Sequence, residues 1–267
     1  MGTGKARAMI ENHMIGRMQA GATALGIGLT MPPEAQVAMF AARAGFDWAF
    51  IDLEHTLISP ESVATNCAML RAVGVTPVAR APKAAGGDIA RLLDSGAQGI
   101  ILPHVDTADE ARDFVDQCKY SPAGHRSWGG ASPQLGYPTQ PSAELLAAGN
   151  ERTLAIVMIE SGLGVENIGA IARTPGLDGI LVGNVDLSVD LGEVGHPAGS
   201  KTSEAIRAVG RSVNAAGKYF GLAGAPSAAA ISALDGVTVN FALAGMDYRL
   251  LAAALGHRAA EWREVIG

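Results

Sequence analysis

One pattern recurs along this 267-residue chain, and it is clearest in the segment Asp178-Gly179-Ile180-Leu181-Val182-Gly183-Asn184-Val185-Asp186. Its apolar run, Gly179–Val182, is followed by polar residues at its carboxyl end. The run is continuous and does not alternate with polar residues, which is typical of a strand buried on both faces of a parallel sheet. The segment therefore predicts a buried strand with a carboxylate, Asp186, just beyond its end.

The same unit recurs along the chain. Each of the first seven apolar runs leads into a helix-like segment, and a helical stretch at Tyr248–Val265 follows the eighth. The runs are Ala24–Leu29, Trp48–Ile51, Pro77–Arg80, Gly99–Leu102, Leu154–Ile159, Gly179–Val182, Tyr219–Ala223 and Val237–Leu243. Eight βα units without a break predict a closed (β/α)8 barrel, the TIM-barrel fold, which normally takes about 250 residues.

The predicted domain organisation is simple. We expect an N-terminal lead-in at residues 1–20, with a first helix at 6–20, and one barrel domain at 21–267. An open, doubly wound sheet is less suitable, because the turn after the first run lacks the third glycine of a dinucleotide-binding loop. An irregular stretch at 120–150 is long enough to predict a functional or interface role. Helices are predicted at Pro33–Ala44, Ser59–Val73, Gly87–Ser95, Ala108–Lys119, Gly164–Thr174 and Thr202–Ala216.

Composition and charge exclude several classes of function. The net charge of −6 argues against nucleic-acid binding, which needs a basic face. No apolar run approaches the roughly 18 residues of a membrane span, and no apolar segment follows Lys5 and Arg7 as in a signal peptide. Cys67 and Cys118 have neither zinc-ligand nor CxxC spacing, which favours a reducing, cytoplasmic location.

Polar side chains gather at the carboxyl ends of five predicted strands, where (β/α)8 barrels carry their active sites. Glu160 and Asp186 offer oxygen ligands that suit Mg²⁺ or Mn²⁺. Arg80 can hold a developing enolate or carboxylate through paired hydrogen bonds. His55, with Asp52 three residues before it, has the composition of a general acid–base and its orienting carboxylate. The residues at these ends are Asp52, Glu54, His55, Arg80, His104, Glu160 and Asp186.

Each of these residues also has a structural interpretation. Glu160 can cap a helix or pair with a lysine, and Asp186 is a good N-cap residue for the segment that follows it. His55 and His104 can be solvated loop histidines. These interpretations do not explain why all of them fall at one end of the predicted barrel. No lysine lies at any strand end, which counts against Schiff-base chemistry.

An ordered series of motifs resembles one known family. The motifs are Phe46-Asp47-Trp48-Ala49-Phe50-Ile51-Asp52-Leu53-Glu54-His55, Pro77-Val78-Ala79-Arg80, Leu92-Leu93-Asp94-Ser95-Gly96-Ala97-Gln98 with Asp109-Glu110-Ala111, Tyr120-Ser121-Pro122-Ala123-Gly124-His125-Arg126, Ile159-Glu160 and Asp178 to Ser188. They resemble the 4-hydroxy-2-oxoheptanedioate aldolases, which are metal-dependent class II pyruvate aldolases of the wider citrate lyase group. The resemblance implies an enzyme that reversibly cleaves a 4-hydroxy-2-oxo acid to pyruvate and an aldehyde through a metal-stabilised pyruvate enolate.

The resemblance assigns the metal and the pyruvate to specific residues. It implies that Glu160 and Asp186 bind a divalent ion, Mg²⁺, Mn²⁺ or Co²⁺. It implies that the backbone around Gly183, Val185 and Asp186 holds the pyruvate carboxylate, while Arg80 stabilises the enolate oxygen. Metal and arginine together lower the energy of an enolate, so the assignment agrees with the physical argument.

The resemblance also concerns the aldehyde and the assembly. It implies that His55, oriented by Asp52, moves the proton of the aldol hydroxyl, and we expect His104, Arg126 and Ala223 to contact the substrate. Relatives commonly form a homo-oligomer, a trimer of dimers, in which the last helix is exchanged between neighbours. The apolar residues of Tyr248–Val265 suit such packing, and they equally suit an ordinary eighth barrel helix.

Two departures keep other functions open. Met158 stands where the family commonly has glutamine, and Gly183-Asn184-Val185-Asp186 replaces a common Gly-Pro-Ala-Asp. A CoA-ester lyase on the same fold is one alternative, although no Lys/Arg cluster near the strand ends suggests a nucleotide surface. A catalytically silent protein that binds pyruvate or another oxo acid is the other, and it would bind pyruvate without exchanging its methyl protons.

Overall fold

The computed structural model describes residues 11–31, 35–83, 88–224 and 227–267. Its eight parallel strands follow one another around a closed barrel, with each strand paired to its chain neighbours and β8 paired to β1. The (β/α)8 prediction is therefore confirmed. The strands are β1 (Ala24–Leu29), β2 (Trp48–Asp52), β3 (Thr76–Arg80), β4 (Gly99–Leu102), β5 (Leu154–Ile159), β6 (Gly179–Gly183), β7 (Tyr219–Ala223) and β8 (Phe241–Met246).

Helices surround this barrel, and a buried apolar layer separates them from the strands. Several begin with a side chain that accepts a backbone N–H, as Ser59 does for α3 and Thr107 for α5. The helices are α1 (His13–Gln19), α2 (Ala35–Ala44), α3 (Pro60–Ala72), α4 (Asp88–Asp94), α5 (Ala108–Cys118), α6 (Ser142–Arg152), α7 (Gly162–Glu166), α8 (Ile168–Ile171), α9 (Asn184–Asp190), α10 (Ser200–Ala215), α11 (Ala228–Ser232) and α12 (Asp247–Ile266).

The barrel interior is filled by side chains towards its amino-terminal end. Trp48 packs edge-on against Phe241, with ring centroids 5.9 Å apart. The adjacent strands leave room for these rings at Gly26 and Gly221, where a Cβ atom would clash with Trp48 and Phe241 respectively. Met14 of α1 is buried in the same cluster. Open space inside the barrel is therefore confined to the opposite, carboxyl-terminal end.

Some predicted boundaries differ from the observed ones. Strand β8 begins at Phe241 and not at Val237, because the side-chain amide of Asn214 occupies both backbone groups of Thr238. The stretch 120–150, predicted to be irregular, contains most of α6, whose exposed polar residues hide its helical pattern. The first helix is observed only at His13–Gln19, and the part predicted at residues 6–10 lies outside the described residues.

The last helix, α12, packs little of its 20-residue length against the barrel. Asp247 is its only buried residue, and α12 contacts the strands β1 and β8 at its start. Leu25, which points outwards from β1, is 38% exposed. The chain's own helices thus leave the outer surface of β1 and β8 partly open to solvent. Within the described ranges, no helix has the combination of length and hydropathy that crossing a membrane requires.

Candidate active site

A cavity of about 520 Å³ opens at the carboxyl-terminal end of the barrel. Its lining comes from the ends of seven strands and from the first residues of α9 and α12. The lining residues are Thr30, Phe50, Asp52, His55, Thr56, Arg80, Met158, Glu160, Gly183, Asn184, Val185, Asp186, Ala223, Gly224, Leu243, Met246, Tyr248 and Arg249. Eight of the residues predicted from the sequence to form the site thus line one cavity.

Glu160 is a buried carboxylate in this cavity, with 4% of its surface exposed. Its Oε2 atom accepts a hydrogen bond from the backbone N–H of His104 at 3.0 Å, and Nδ1 of His104 lies 3.3 Å away. His104 has a φ of 55°, a left-handed conformation that costs a non-glycine residue about 1–3 kcal/mol. Burial, reinforced by the charge of Asp186, raises the pKa of Glu160 to about 7.

Asp186 and its neighbours face Glu160 from the next strand. Asp186 lies in the first turn of α9, which begins directly after β6. A Cβ atom at Gly183 would lie 2.6 Å from Oε1 of Glu160, so only glycine leaves this carboxylate room. Oδ1 of Asn184 is buried and has no hydrogen-bond partner among the described residues. The turn after β6 therefore brings the oxygen atoms of Asn184 and Asp186 near the carboxylate of Glu160.

Arg80 is held rigidly at the end of β3, two strands away from Glu160 around the barrel. Asp52 and Arg80 are register partners on β2 and β3, and the guanidinium donates to both carboxylate oxygens, at 3.0 and 2.7 Å. Nη1 of Arg80 lies 3.0 Å from Oε2 of Glu54, and the guanidinium stacks 5.0 Å from the centroid of the Phe50 ring. Arg80 is 7% exposed, so its position is set before any ligand binds.

The arrangement around His55 corrects one expectation. Both oxygens of Asp52 bind Arg80, and Oδ1 also accepts the backbone N–H groups of Glu54 and His55. The His55 side chain is 63% exposed, with Nε2 3.9 Å from Glu54. Asp52 therefore fixes the backbone of the turn and the guanidinium of Arg80. The sequence suggested that Asp52 orients the imidazole of His55, but in the structure Asp52 contacts only the backbone of that residue.

Three residues predicted to contact the substrate lie in different places. Ala223 lines the cavity, while His104 stands beside it and joins Glu160 to Glu54, whose Oε1 is 3.1 Å from Nε2 of the histidine. Arg126 does not line this cavity, so its predicted contact with substrate finds no support in its own barrel. Its guanidinium binds Asp94, at the carboxyl end of α4, and Gln134. These partners precede β4 and β5 and place Arg126 at the amino-terminal end of the barrel.

The carboxylates of Glu160 and Asp186 are suitable ligands for a divalent cation. Within residues 11–31, 35–83, 88–224 and 227–267, no cluster of three or more His, Cys, Asp or Glu side chains could enclose a metal ion. Glu160 and Asp186 instead form an open pair, which suits an ion such as Mg²⁺ that keeps water or substrate oxygens as its other ligands. The raised pKa of Glu160 is the expected state of a buried carboxyl that is without a cation.

Sequence reasoning missed the side of the cavity formed by β1, β8 and α12. Thr30, Met246, Tyr248 and Arg249 line that side. The eighth strand was predicted to end at Leu243, and the helical stretch Tyr248–Val265 was considered only for packing. The corrected end of β8, at Met246, places the next residues at the same barrel end as the other polar residues.

The cavity and its carboxylates agree with the comparison to known families. The family model described as "HpcH/HpaI aldolase/citrate lyase" matches residues 32–253. The chain belongs to this family. The HpcH/HpaI match spans β2 to β8 and includes Arg80, Glu160 and Asp186.

Individual HpcH/HpaI relatives are similar along nearly their whole length. The 4-hydroxy-4-methyl-2-oxoglutarate aldolase of Hapsidospora irregularis is 36% identical, covering 91% of each chain. The 4-hydroxy-2-oxovalerate aldolase of Rhodococcus jostii is 36% identical, covering 92% of this chain and 93% of its own. The crystal structure of an HpcH/HpaI aldolase from Desulfitobacterium hafniense superposes with a TM-score of 0.89 at 26% identity, covering 95% and 97%.

Proposed function

We propose that this protein is a metal-dependent aldolase, a carbon–carbon lyase, that reversibly cleaves a 4-hydroxy-2-oxo acid to pyruvate and a carbonyl compound. The observation that carries the proposal is a pair of carboxylates and a fixed guanidinium that line one cavity. Glu160 and Asp186 follow β5 and β6, and the guanidinium of Arg80, held by two acidic side chains, lies at the end of β3. An enolate requires positive charge at its oxygen, which Arg80 supplies directly and a cation held by the two carboxylates would also supply.

The chain's own residues account for the steps of cleavage. A base removes the proton of the C4 hydroxyl, the C3–C4 bond breaks, and its electron pair enters the enolate of pyruvate. Arg80 donates hydrogen bonds towards the enolate oxygen, and Asp52 keeps the guanidinium in place. His55, exposed at the cavity wall, carries protons between the reacting atoms and water. Protonation of the enolate carbon then gives pyruvate.

Glu160 and Asp186 would hold Mg²⁺, Mn²⁺ or Co²⁺, which supplies Lewis-acid stabilisation of negative charge on the substrate oxygens. The first backbone N–H groups of α9, including those of Val185 and Asp186, have no partners within the helix. Such groups favour anions, and we assign the pyruvate carboxylate to them. Gly183 leaves the space that the carboxylate of Glu160 occupies beside this turn.

Removal of divalent ions is expected to abolish the activity. Purified protein treated with a chelator should neither release pyruvate from a 4-hydroxy-2-oxo acid nor exchange the methyl protons of pyruvate in deuterated water. Addition of Mg²⁺ or Mn²⁺ should restore both, because the ion would stabilise the negative charge that develops on the substrate oxygens. A lactate dehydrogenase-coupled assay and proton NMR measure the two reactions, and persistence of either one after chelation would contradict the proposal.

We further propose that α12 packs against another copy of the chain, in a homo-oligomer that we expect to be a trimer of dimers. Leu251, Leu255, Trp262, Val265 and Ile266 are 47% to 83% exposed. At 100° per residue they form one stripe along α12. Exposed apolar area of this kind marks an interaction surface, and the uncovered strands β1 and β8 of a neighbour offer a matching one.

A single charge in this stripe should break the assembly. We expect Leu255→Glu to lower the mass measured by light scattering, because a carboxylate would be buried in an apolar interface. Ala260→Glu is the matched control, since residue 260 lies on the opposite side of α12 and should leave the mass unchanged. Equal masses for the wild type and both variants would show that the stripe is not an interface.

A further inference from the structure

The cavity extends well beyond the metal and enolate positions. In a closed barrel of eight strands, β1 stands opposite β5, which carries Glu160 at its end. The side formed by β8, β1 and the start of α12 therefore faces the reacting centre across the cavity. This side is where the acceptor part of the substrate, the part that leaves as the carbonyl compound, has room to lie.

Most of this far side is apolar, with one charged exception. Leu243, Met246 and the Tyr248 ring line it, together with the guanidinium-bearing side chain of Arg249. Arg249 donates from Nε to the hydroxyl of Tyr248 at 2.8 Å, and its guanidinium lies 5.7 Å from the centroid of that ring. A cation of this kind has no role in pyruvate activation, because Arg80 already supplies that charge.

Asp247 fixes the start of α12, the segment that carries Arg249. Asp247, 8% exposed, accepts hydrogen bonds from the backbone and side chain of Thr30 and from the backbone of Met31, at 2.7 to 3.0 Å. These bonds tie the first turn of α12 to the end of β1. Arg249 also points away from the apolar stripe of α12, since residues 249 and 255 lie far apart around the helix.

The charge of Arg249 is not compensated in the way that the charge of Arg80 is. Asp52 and Glu54 both pair with Arg80. Among the described residues, no carboxylate forms a salt bridge with Arg249, and its two terminal nitrogens are left for a ligand. A guanidinium with free paired donors at the wall of a cavity is suited to a carboxylate.

We propose that Arg249 is a specificity-determining residue that binds a carboxylate on the acceptor, so that the preferred substrates carry a second carboxylate beyond C4. The inference rests on the proposed aldolase function and names the class of carbonyl compound. Such an acceptor is an aldehyde or ketone that is itself an acid. The two relatives named above act on substrates that differ in this feature, so relatedness alone does not decide it.

The decisive experiment compares two substrates that differ only at C5. 4-Hydroxy-2-oxoglutarate carries a carboxylate there, and 4-hydroxy-2-oxopentanoate carries a methyl group. In the variant Arg249→Met we expect kcat/KM for the first to fall roughly 10- to 100-fold, mainly through KM, since hydrogen bonds to a charged group have about this value. The second should change less than about threefold, and Arg249→Lys should restore part of the loss.

The controls separate this inference from the proposed function. Arg263→Met removes an exposed arginine from the same helix, outside the cavity, and should leave both substrates unaffected. Pyruvate methyl-proton exchange should be unchanged in Arg249→Met, because it involves no acceptor. A wild-type protein without exchange would contradict the aldolase proposal itself. The assignment of Arg249 is overturned by any of three results. One is a wild type with no preference for the dicarboxylate, and the others are an Arg249→Met variant that lowers kcat/KM equally for both substrates or for neither.

Discussion

Glu160→Gln is expected to lower the rate of pyruvate release by at least about 10³-fold, because it removes one of two anionic ligands for the ion that stabilises the enolate. Glutamine keeps the shape of the side chain and can still accept the N–H of His104, which binds Oε2 at 3.0 Å. Steady-state kinetics with saturating Mn²⁺ measure the loss. Calorimetric titration with Mn²⁺ should show affinity reduced by more than about 10²-fold.

The same substitution should have the opposite effect on stability in metal-free protein. The pKa of Glu160 is raised to about 7 in the folded state, chiefly by burial, from an ordinary value of 4.5. The folded state therefore favours the protonated carboxyl, and its stability should fall as the pH rises from about 4.5 to about 7. Glu160→Gln carries no charge, so in the presence of a chelator its Tm should exceed that of the wild type by an amount that grows across this range.

Glu166→Gln provides the matched control for both measurements. Glu166 belongs to α7, the helix that follows Glu160, and it is exposed outside the cavity. This variant should retain wild-type kinetics, ion affinity and pH dependence of Tm. If Glu160→Gln binds Mn²⁺ as the wild type does, Glu160 is not a metal ligand and the assignment fails.

Arg80→Lys is expected to lower kcat by about 10²- to 10³-fold, the usual effect of removing one fixed donor from a developing oxyanion. Lysine keeps the positive charge but cannot form the paired bonds to both oxygens of Asp52, at 3.0 and 2.7 Å. Because the enolate carries its full charge only near the transition state, the loss should appear in kcat more than in KM.

Arg91→Lys is the corresponding control. Arg91 is an exposed arginine of α4 whose partner, Asp88, is on the surface. Arg91→Lys should change neither kcat nor Tm, because exposed ion pairs contribute about 0–1 kcal/mol.

Arg80→Lys should also lower Tm, since Asp52 and Glu54 are left incompletely paired in a buried site. Wild-type kcat in Arg80→Lys would exclude Arg80 from enolate stabilisation.

The fold was predictable because its periodic signal is strong. Eight continuous apolar runs require a sheet that is covered on both faces, and a barrel meets this requirement without exposing an edge. Boundaries were predicted less well where a single side-chain contact decides where an element begins. The side-chain amide of Asn214 binds the backbone of Thr238 and so delays the start of β8 to Phe241, and no pattern in the sequence marks that contact.

The site was predictable only where function follows strand position. Glu160, Asp186 and Arg80 lie at or just beyond the ends of apolar runs, and they share one cavity. Arg126 was assigned to the substrate from a motif, although its bonds to Asp94 and Gln134 place it at the far end of the barrel. Arg249 was missed because β8 was predicted to end at Leu243, whereas it ends three residues later, at Met246. The later end brings the first turn of α12, with Arg249, to the cavity. Both cases depend on packing between distant segments, which spacing along the chain does not encode.

The filled barrel interior has a consequence for the order of events during turnover. Because Trp48 and Phe241 close the space below the cavity, ligands enter and leave through one opening. Glu160 and Arg80 lie deep, at 4% and 7% exposure, while Arg249 is at the exposed rim. A molecule bound against the deep pair is therefore covered by whatever occupies the outer half. In the condensation direction the enolate-forming acid must arrive first, and in cleavage it must depart last.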